Sequence, residues 1–285
     1  MEATMLVTGI TGNVGEHVAE HLIARGCSVR GAVTNTGKAA HRWGSKAELV
    51  RFDYLDESTF DDALQGISGL FLIRPPSLAD PNPMLPLIVR AKERGVKHIV
   101  FLSLLGIERN PLPPHYRIEK YVRNSGIPFT FLRPSFFMQN LNTIHRTDIR
   151  DRGDIFIPAG KAPVSFIDAR DVGEAAALAM LSPELHANRS YTLTGAEALT
   201  YEEAAAIFTR VLGRIVTYSN PSAGQFRREM VRRGMPREHV NVMITLYFTT
   251  KLGLAKRVTP ELEHLLGRKP ATLEQYVQDY ADYWR

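Results

Sequence analysis

The sequence predicts an α/β protein, a doubly wound parallel sheet followed by a smaller, mainly helical C-terminal lobe. Three observations carry this. Through the first half, short apolar runs with strand character alternate with stretches of helical spacing, the pattern of repeated βα units. A glycine-rich turn at residues 8–15 separates the first run from the first helical stretch. From Thr200 onward the spacing is helical over residues 201–212, 223–233, 237–252 and 273–284, punctuated by Gly213, Gly234-Met235-Pro236 and Lys269-Pro270.

Met5-Leu6-Val7 reads as the first strand, and Val14, Val18, Leu22 and Ile23 mark one face of the first helix. Between them stands Thr8-Gly9-Ile10-Thr11-Gly12-Asn13-Val14-Gly15. Glycines three apart suit a chain that turns sharply at Gly9, admits a phosphate to the backbone at Gly12 and packs helix on strand at Gly15. The helix N-terminus then turns free N–H groups and the positive end of its dipole toward a pyrophosphate. Gly9, Thr11, Gly12, Asn13, Val14 and Gly15 are thus the expected diphosphate cradle of a Rossmann dinucleotide site; the competing reading is a glycine turn that binds no dinucleotide.

Residues 28–33 read as the second strand. An acid near its end would bind the ribose 2′-hydroxyl of NAD, yet none occurs between Glu20 and Glu48, where Arg25, Arg30, Lys38, Arg42 and Lys46 all fall. The expected cofactor is therefore NADP(H), with Thr34, Asn35 and Lys38 at the 2′-phosphate; NAD(H) stays possible, and the basic residues could equally be an ordinary surface. Residues 48–52 form a third strand followed by Asp53-Tyr54, and Asp56 is placed to cap the next helix.

Gly69-Leu70-Phe71-Leu72-Ile73 is the nearly pure apolar run of a strand buried on both faces. It ends at Arg74-Pro75-Pro76, in a loop whose prolines run on to Pro83 and deny it regular structure. Leaving the carboxyl end of a central strand, this loop borders the ligand crevice, and Arg74 joins the expected cofactor contacts. A helix over residues 84–94, a fifth strand over 97–102 ending at Ser103, and a sixth over 128–133 complete the pattern.

The Gly-x-x-Gly-x-x-Gly spacing and the stretch Gly95-Val96-Lys97-His98-Ile99-Val100-Phe101-Leu102-Ser103 resemble the extended and atypical short-chain dehydrogenase/reductases. That resemblance implies that Asp53 contacts the adenine amino group and that Ser103 polarises a substrate oxygen, unless it only ends its strand. Typical members use a Tyr-x-x-x-Lys pair, one helical turn apart, to protonate the oxygen as hydride arrives. Tyr116-Arg117-Ile118-Glu119-Lys120 has that spacing. The register differs, however. Glu119 followed by Ser125-Gly126-Ile127-Pro128-Phe129-Thr130-Phe131-Leu132-Arg133-Pro134 resembles the extended reductases with His115 at the lysine position and Pro111 at the tyrosine position. With Phe136-Phe137-Met138-Gln139-Asn140 and Leu265-Leu266-Gly267-Arg268-Lys269-Pro270, the chain resembles the NmrA-like atypical group, which includes triphenylmethane reductases, type-2 quinone oxidoreductases and cofactor-binding regulators.

The resemblance makes His115 the first catalytic candidate, titrating near pH 6.5 if unperturbed. Tyr116, Lys120 and Ser103 are secondary candidates. The alternative for His115 is an early-turn polar residue after Pro113-Pro114. Phe136, Phe137, Met138, Gln139 and Asn140 are the expected substrate-pocket residues, although Phe and Met also serve ordinary packing. Asp171 is read as the N-cap of an alanine-rich helix, and Tyr191-Thr192-Leu193 as a last strand. The expected division is a dinucleotide-binding domain over 1–150, to which 160–195 return, and a substrate lobe over 196–285.

With 44% hydrophobic and 23% charged residues the composition is that of a globular protein. The single cysteine, Cys27, has no internal disulfide partner, and no Cys/His cluster has metal-ligand spacing, so no metal is expected. Met1-Glu2-Ala3-Thr4 leads directly into the first strand and no apolar run is long enough for a bilayer, so the expectation is a cytoplasmic protein without membrane or signal segment. Net charge is +5, with its densest patch at Arg227, Arg228, Arg232, Arg233 and Arg237. Lacking interleaved aromatics, that patch reads as a solvated face, and no nucleic-acid partner is expected. The expected function is an NADPH-preferring reductase passing hydride to a small aromatic or conjugated acceptor such as a quinone, dye, imine or carbonyl, with a homodimer possible. The alternative is a non-catalytic NADP(H) sensor of the NmrA type.

Overall fold

A computed structural model describes residues 4–285, so Met1-Glu2-Ala3, read as leading into the first strand, lies outside the described residues. The chain runs through β1 (Thr4–Thr8), α1 (Gly15–Ala24), β2 (Ser28–Val33), α2 (Thr36–Trp43), β3 (Glu48–Arg51), α3 (Phe60–Leu64), β4 (Ile67–Ile73), α4 (Met84–Glu93), β5 (His98–Leu102), α5 (Pro114–Ser125) and β6 (Phe129–Pro134). Next come β7 (Phe136–Phe137), α6 (Gln139–Asn142), α7 (Arg146–Arg152), β8 (Asp154–Ile155) and β9 (Phe166–Ile167). Then follow α8 (Ala169–Leu181), α9 (Pro183–His186), β10 (Arg189–Leu193), α10 (Tyr201–Leu212), β11 (Thr217–Tyr218), α11 (Ala223–Arg232), α12 (Arg237–Lys251), α13 (Glu261–Leu266) and α14 (Leu273–Asp279).

Two compact units result. One comprises the chain up to Pro134 with Ala169–Leu193 and His264–Gly267; the other comprises Ser135–Asp168, Thr194–Glu263 and Arg268–Arg285.

The first unit is the doubly wound α/β fold. Its described strands form one parallel sheet in the order β10-β6-β5-β4-β1-β2-β3. β4 and β5 are buried nearly throughout, which is why they read as unbroken apolar runs. Alternation assigns their faces. Leu6, Leu70, Leu72, Ile99, Phe101 and Phe131 pack into one core with the apolar sides of α3, α4 and α5. On the opposite face α8 packs against the sheet, where a Cβ on Gly69 would stand in ordinary contact, 3.6 Å, with Met180 Cε. α8 also meets α1, where a Cβ on Gly173 would lie 2.5 Å from that of His17. Because α8 begins at Ala169, Asp171 lies within its first turn and is not the cap the sequence suggested.

Strand order reverses between β1 and β4. In open α/β sheets the crevice beyond the carboxyl ends of strands at such a switch point is where ligands bind. Thr8 holds the two strands in register there: its hydroxyl donates to the Phe71 carbonyl at 2.9 Å and accepts from the Ile73 N–H at 3.0 Å.

The second unit is mainly helical and has its own core, in which Met138, Phe166, Tyr201, Phe208, Phe226, Tyr247 and Trp284 are buried. Two parallel pairs of two-residue strands, β7 with β9 and β8 with β11, lie within it. Thr200 and Ser222 each form a reciprocal capping box, with Glu203 for α10 and Gln225 for α11. Among the described residues no helix is long and apolar enough to cross a membrane, and no cluster of three or more His, Cys, Asp or Glu could hold a metal ion.

Candidate functional site

The glycine loop lies at the end of β1, on the switch point. Gly9 has φ +66°, the left-handed turn that favours glycine, and its carbonyl accepts the Gly12 N–H at 2.9 Å. A Cβ on Gly15 would fall 2.1 Å from the Gly9 carbonyl oxygen, so α1 can start against the end of β1 only with glycine there. On Gly12 the same atom would meet that oxygen at 3.3 Å, a tight but tolerable approach, and Thr11, Gly12 and Asn13 are exposed. Val14 precedes α1 without any side-chain cap. An exposed loop leading into an uncapped helix start is the geometry that can hold a diphosphate by its N–H groups.

Around β2 the structure pairs most of the cations. Arg42 pairs with Glu16 at 2.7 Å and Glu20 at 3.2 Å, Arg25 with Glu174 at 3.1 Å and Arg30 with Glu48 at 2.9 Å. Acids from outside the acid-free stretch therefore answer three of its five cations. Lys38 has no ion-pair partner among the described residues, and with Thr34 it is exposed just beyond the end of β2. Asn35 caps α2, its side-chain oxygen accepting the Lys38 N–H at 3.0 Å. At the end of β3, Asp53 accepts the Leu55 N–H at 2.9 Å, while Asp56 caps the following short helix as expected. Tyr54 donates its hydroxyl to the Ile73 carbonyl at 2.7 Å, tying the β3 end to that of β4.

Ser103 is not free to donate to a substrate. Its hydroxyl donates to Glu119 Oε1 at 2.7 Å, and both residues are buried. The same carboxylate takes Arg133 through Nε at 3.0 Å and Nη2 at 2.8 Å, and Arg123 Nη2 at 3.1 Å. In the sequence Glu119 is only a register marker; the link from β5 through α5 to β6 exists only in three dimensions.

On α5, His115, Ile118, Glu119 and Val122 face inward, whereas Tyr116 and Lys120 lie on the exposed face. His115 stacks on Phe101 with centroids 6.0 Å apart, and its Nδ1 is buried without a hydrogen-bond partner. Burial, and then the nearby Arg74 guanidinium, push its pKa down to about 3. Burial thus holds His115 as a neutral imidazole at neutral pH, with its pKa well below the 6.5 of an unperturbed ring.

Burial also lowers His98 and His145 to about 4 each. A histidine whose folded pKa lies below its unfolded value near 6.5 stabilises the fold above that pH and loses its contribution as pH falls through the folded value. Thermal unfolding across pH 7 to 3 should therefore show the melting temperature falling from about pH 6.5 toward 4. A flat profile there contradicts the burial of these three imidazoles.

Arg74, the first residue after β4, is half-buried. Its Nη1 donates to the carbonyls of Pro75 and Leu78, and its Nε is buried without a partner. Two buried polar atoms, Arg74 Nε after the end of β4 and His115 Nδ1 at the start of α5, therefore lack hydrogen-bond partners among the described residues, and the Arg74 charge acts on the His115 ring.

In the second unit the predicted aromatic set divides. Met138 is a core residue, and Gln139 donates its amide to Asp168 at 2.9 Å, so both are taken up in the interior. Phe136, Phe137 and Asn140 keep partial exposure. Phe136 packs against Phe166, Tyr201 and Tyr247.

The chain is 34% identical over 282 residues to YesF, an uncharacterized oxidoreductase of Bacillus subtilis, covering 98% of this chain and 96% of that one. It superposes on the NADPH-dependent quinone oxidoreductase of Escherichia coli, solved with NADPH, with TM-score 0.87 and 27% identity, over 97% of this chain and 99% of the other. For the triphenylmethane reductase of Citrobacter sp., solved with NADP(H), the values are 0.84, 26%, 97% and 99%. Residues 1–277 match the NmrA-like family model, and the chain belongs to that family.

Proposed function

We propose that this chain is an NAD(P)H-dependent reductase that prefers NADPH and reduces a small conjugated acceptor by direct hydride transfer. The observation that carries the proposal is the pairing, on one sheet, of a diphosphate cradle at the end of β1 with two unpartnered buried polar atoms beyond β4 and β5. Solved relatives with NADPH or NADP(H) support the choice of cofactor.

In this reading the N–H groups around Gly12 and Asn13 hold the diphosphate, and Lys38 and Thr34 receive the 2′-phosphate. Bound NADPH supplies the hydride. His115, held flat on Phe101 and kept neutral by burial, positions the reacting partners by hydrogen bonding and does not act as a strong acid. Acceptors whose added electrons delocalise need little acid catalysis, and solvent delivers the proton.

The test is NADPH consumption with quinones, triarylmethane dyes, imines and aldehydes, alongside separate binding titrations of NADPH and NADH. Turnover with at least one class, and tighter binding of NADPH than of NADH, is expected. Tight NADPH binding without turnover on any acceptor would replace this reading by the cofactor-sensing regulator.

A further inference from the structure

We propose that the second unit binds reversibly to an anionic lipid surface through the outward face of α12 and the turn that follows it. Such binding goes beyond the reductase reading and does not depend on it, since vesicle binding and NADPH turnover can each be present without the other.

α12 is apolar on both of its sides. Inward it presents Val240, Met243 and Tyr247 to the core of its unit, and all three are buried. Outward it carries Val242, Leu246 and Phe248, and the turn after it adds Leu252, Leu254 and Val258; these six side chains are each between 45% and 65% exposed. A surface helix normally turns charged residues to water, and a helix apolar all round is normally enclosed. Large apolar side chains gathered on one exposed element, unlike single ones scattered over a surface, mark a contact with something else. The turn is tied down, so its leucines are held outward: the Ala255 carbonyl accepts the Ser165 N–H at 2.9 Å, and the Thr259 N–H donates to Thr194 Oγ1 at 3.0 Å.

Charge indicates what covers this face. No Asp or Glu occurs between Glu238 and Glu261, while Lys251, Lys256 and Arg257 fall in the second half of that stretch and are exposed. The cations around β2 are mostly answered by acids from elsewhere in the fold. Here, among the described residues, no carboxylate lies within ion-pair distance of any of the three. An apolar surface studded with unanswered cations matches a bilayer containing anionic lipid, which takes the apolar side chains at its acyl boundary and the cations at its headgroups. A second copy of the chain fits the face badly. Across a two-fold axis the patch meets itself, setting each copy's three cations against the other's with no acid in either patch to answer them.

The experiment is cosedimentation of the full chain with vesicles of phosphatidylcholine alone and of phosphatidylcholine mixed with phosphatidylserine, in low and in physiological salt, with light scattering on the lipid-free protein. Wild type should bind the anionic vesicles, less tightly as salt rises, and leave the zwitterionic ones unbound. Each cation removed should weaken binding about fivefold, so Lys256→Gln/Arg257→Gln should lose on the order of 25-fold. Lys97→Gln/Arg109→Gln, which lowers the net charge equally on the first unit, should lose less than about twofold. Phe248→Ser/Leu252→Ser should lose about tenfold or more, and both patch variants should keep the wild-type melting temperature and NADPH affinity. Phe248→Trp reads the place directly. The two native tryptophans, Trp43 and Trp284, are buried, so a blue shift of emission on adding anionic vesicles reports position 248 entering the lipid. Should the serine variant melt early, the cation pair and the tryptophan label decide. Equal binding to both vesicle types, binding to neither, or a Phe248→Trp emission indifferent to lipid overturns the proposal. A lipid-free dimer that Phe248→Ser/Leu252→Ser dissociates also overturns it, and assigns the face to a second copy.

Discussion

Gly12→Ala should fold normally and bind NADPH at least about tenfold more weakly, whereas Gly15→Ala should fail at the level of the fold. The difference comes from what each new methyl meets. On Gly15 it would fall 2.1 Å from the Gly9 carbonyl oxygen and 2.6 Å from the carbonyl carbon, both backbone atoms that no side-chain rotation can move. α1 would have to shift away from β1, carrying with it the packing of α8, and the cost should exceed the roughly 1–3 kcal/mol of ordinary overpacking. On Gly12 the contact is 3.3 Å at an exposed position without positive φ. Its effect on stability should stay within about 1 kcal/mol, while the methyl occupies the space a phosphate needs. Melting curves and NADPH titrations on both variants separate the two roles. Undiminished NADPH binding in Gly12→Ala contradicts the cradle.

Glu119→Ala should lower stability by about 3–5 kcal/mol. The carboxylate is 3% exposed, and it meets Arg133 at 2.8 Å, Arg123 at 3.1 Å and the Ser103 hydroxyl at 2.7 Å. Its removal takes from Arg133, whose side chain is 10% exposed, the carboxylate that meets both its Nε and Nη2, while Glu108 meets it at 3.3 Å. A buried charge stripped of its main partner is what makes such changes expensive. Arg123→Ala touches the same carboxylate from a side chain 46% exposed, and should cost no more than about 1 kcal/mol. Denaturant unfolding of the two variants checks the contrast, and near-equal losses contradict the assignment of the network to the interior.

These two predictions also mark what the sequence discloses. The glycine loop was legible because its constraint is local: Gly9 and Gly15 are six residues apart and meet each other. Helix α10 was legible to the residue because Thr200 and Gly213 bound a regular apolar spacing. Glu119, Arg133 and Ser103 were not legible as a group, since nothing along the chain says that β5, α5 and β6 bring them together. The partners of the cations in the acid-free stretch after Glu20 were hidden for the same reason, as Glu16 and Glu20 reach Arg42 across space. Burial was equally hidden. His115 carries no sign in the sequence that it stacks under Phe101 and is kept neutral, nor Met138 that it fills a core. The pairing of β8 with β11 joins two-residue strands about sixty residues apart, too short for any periodicity to register.

In the proposed function this crevice delivers hydride directly from bound NADPH. Single-turnover oxidation of NADPH carrying deuterium at the transferred position, mixed as the preformed complex with excess quinone, tests it most directly. One fast phase of NADPH loss is expected, which requires the quinone and is slower for the deuterated cofactor. An absence of NADPH oxidation in the preformed complex, or a rate indifferent to the isotope, would contradict it.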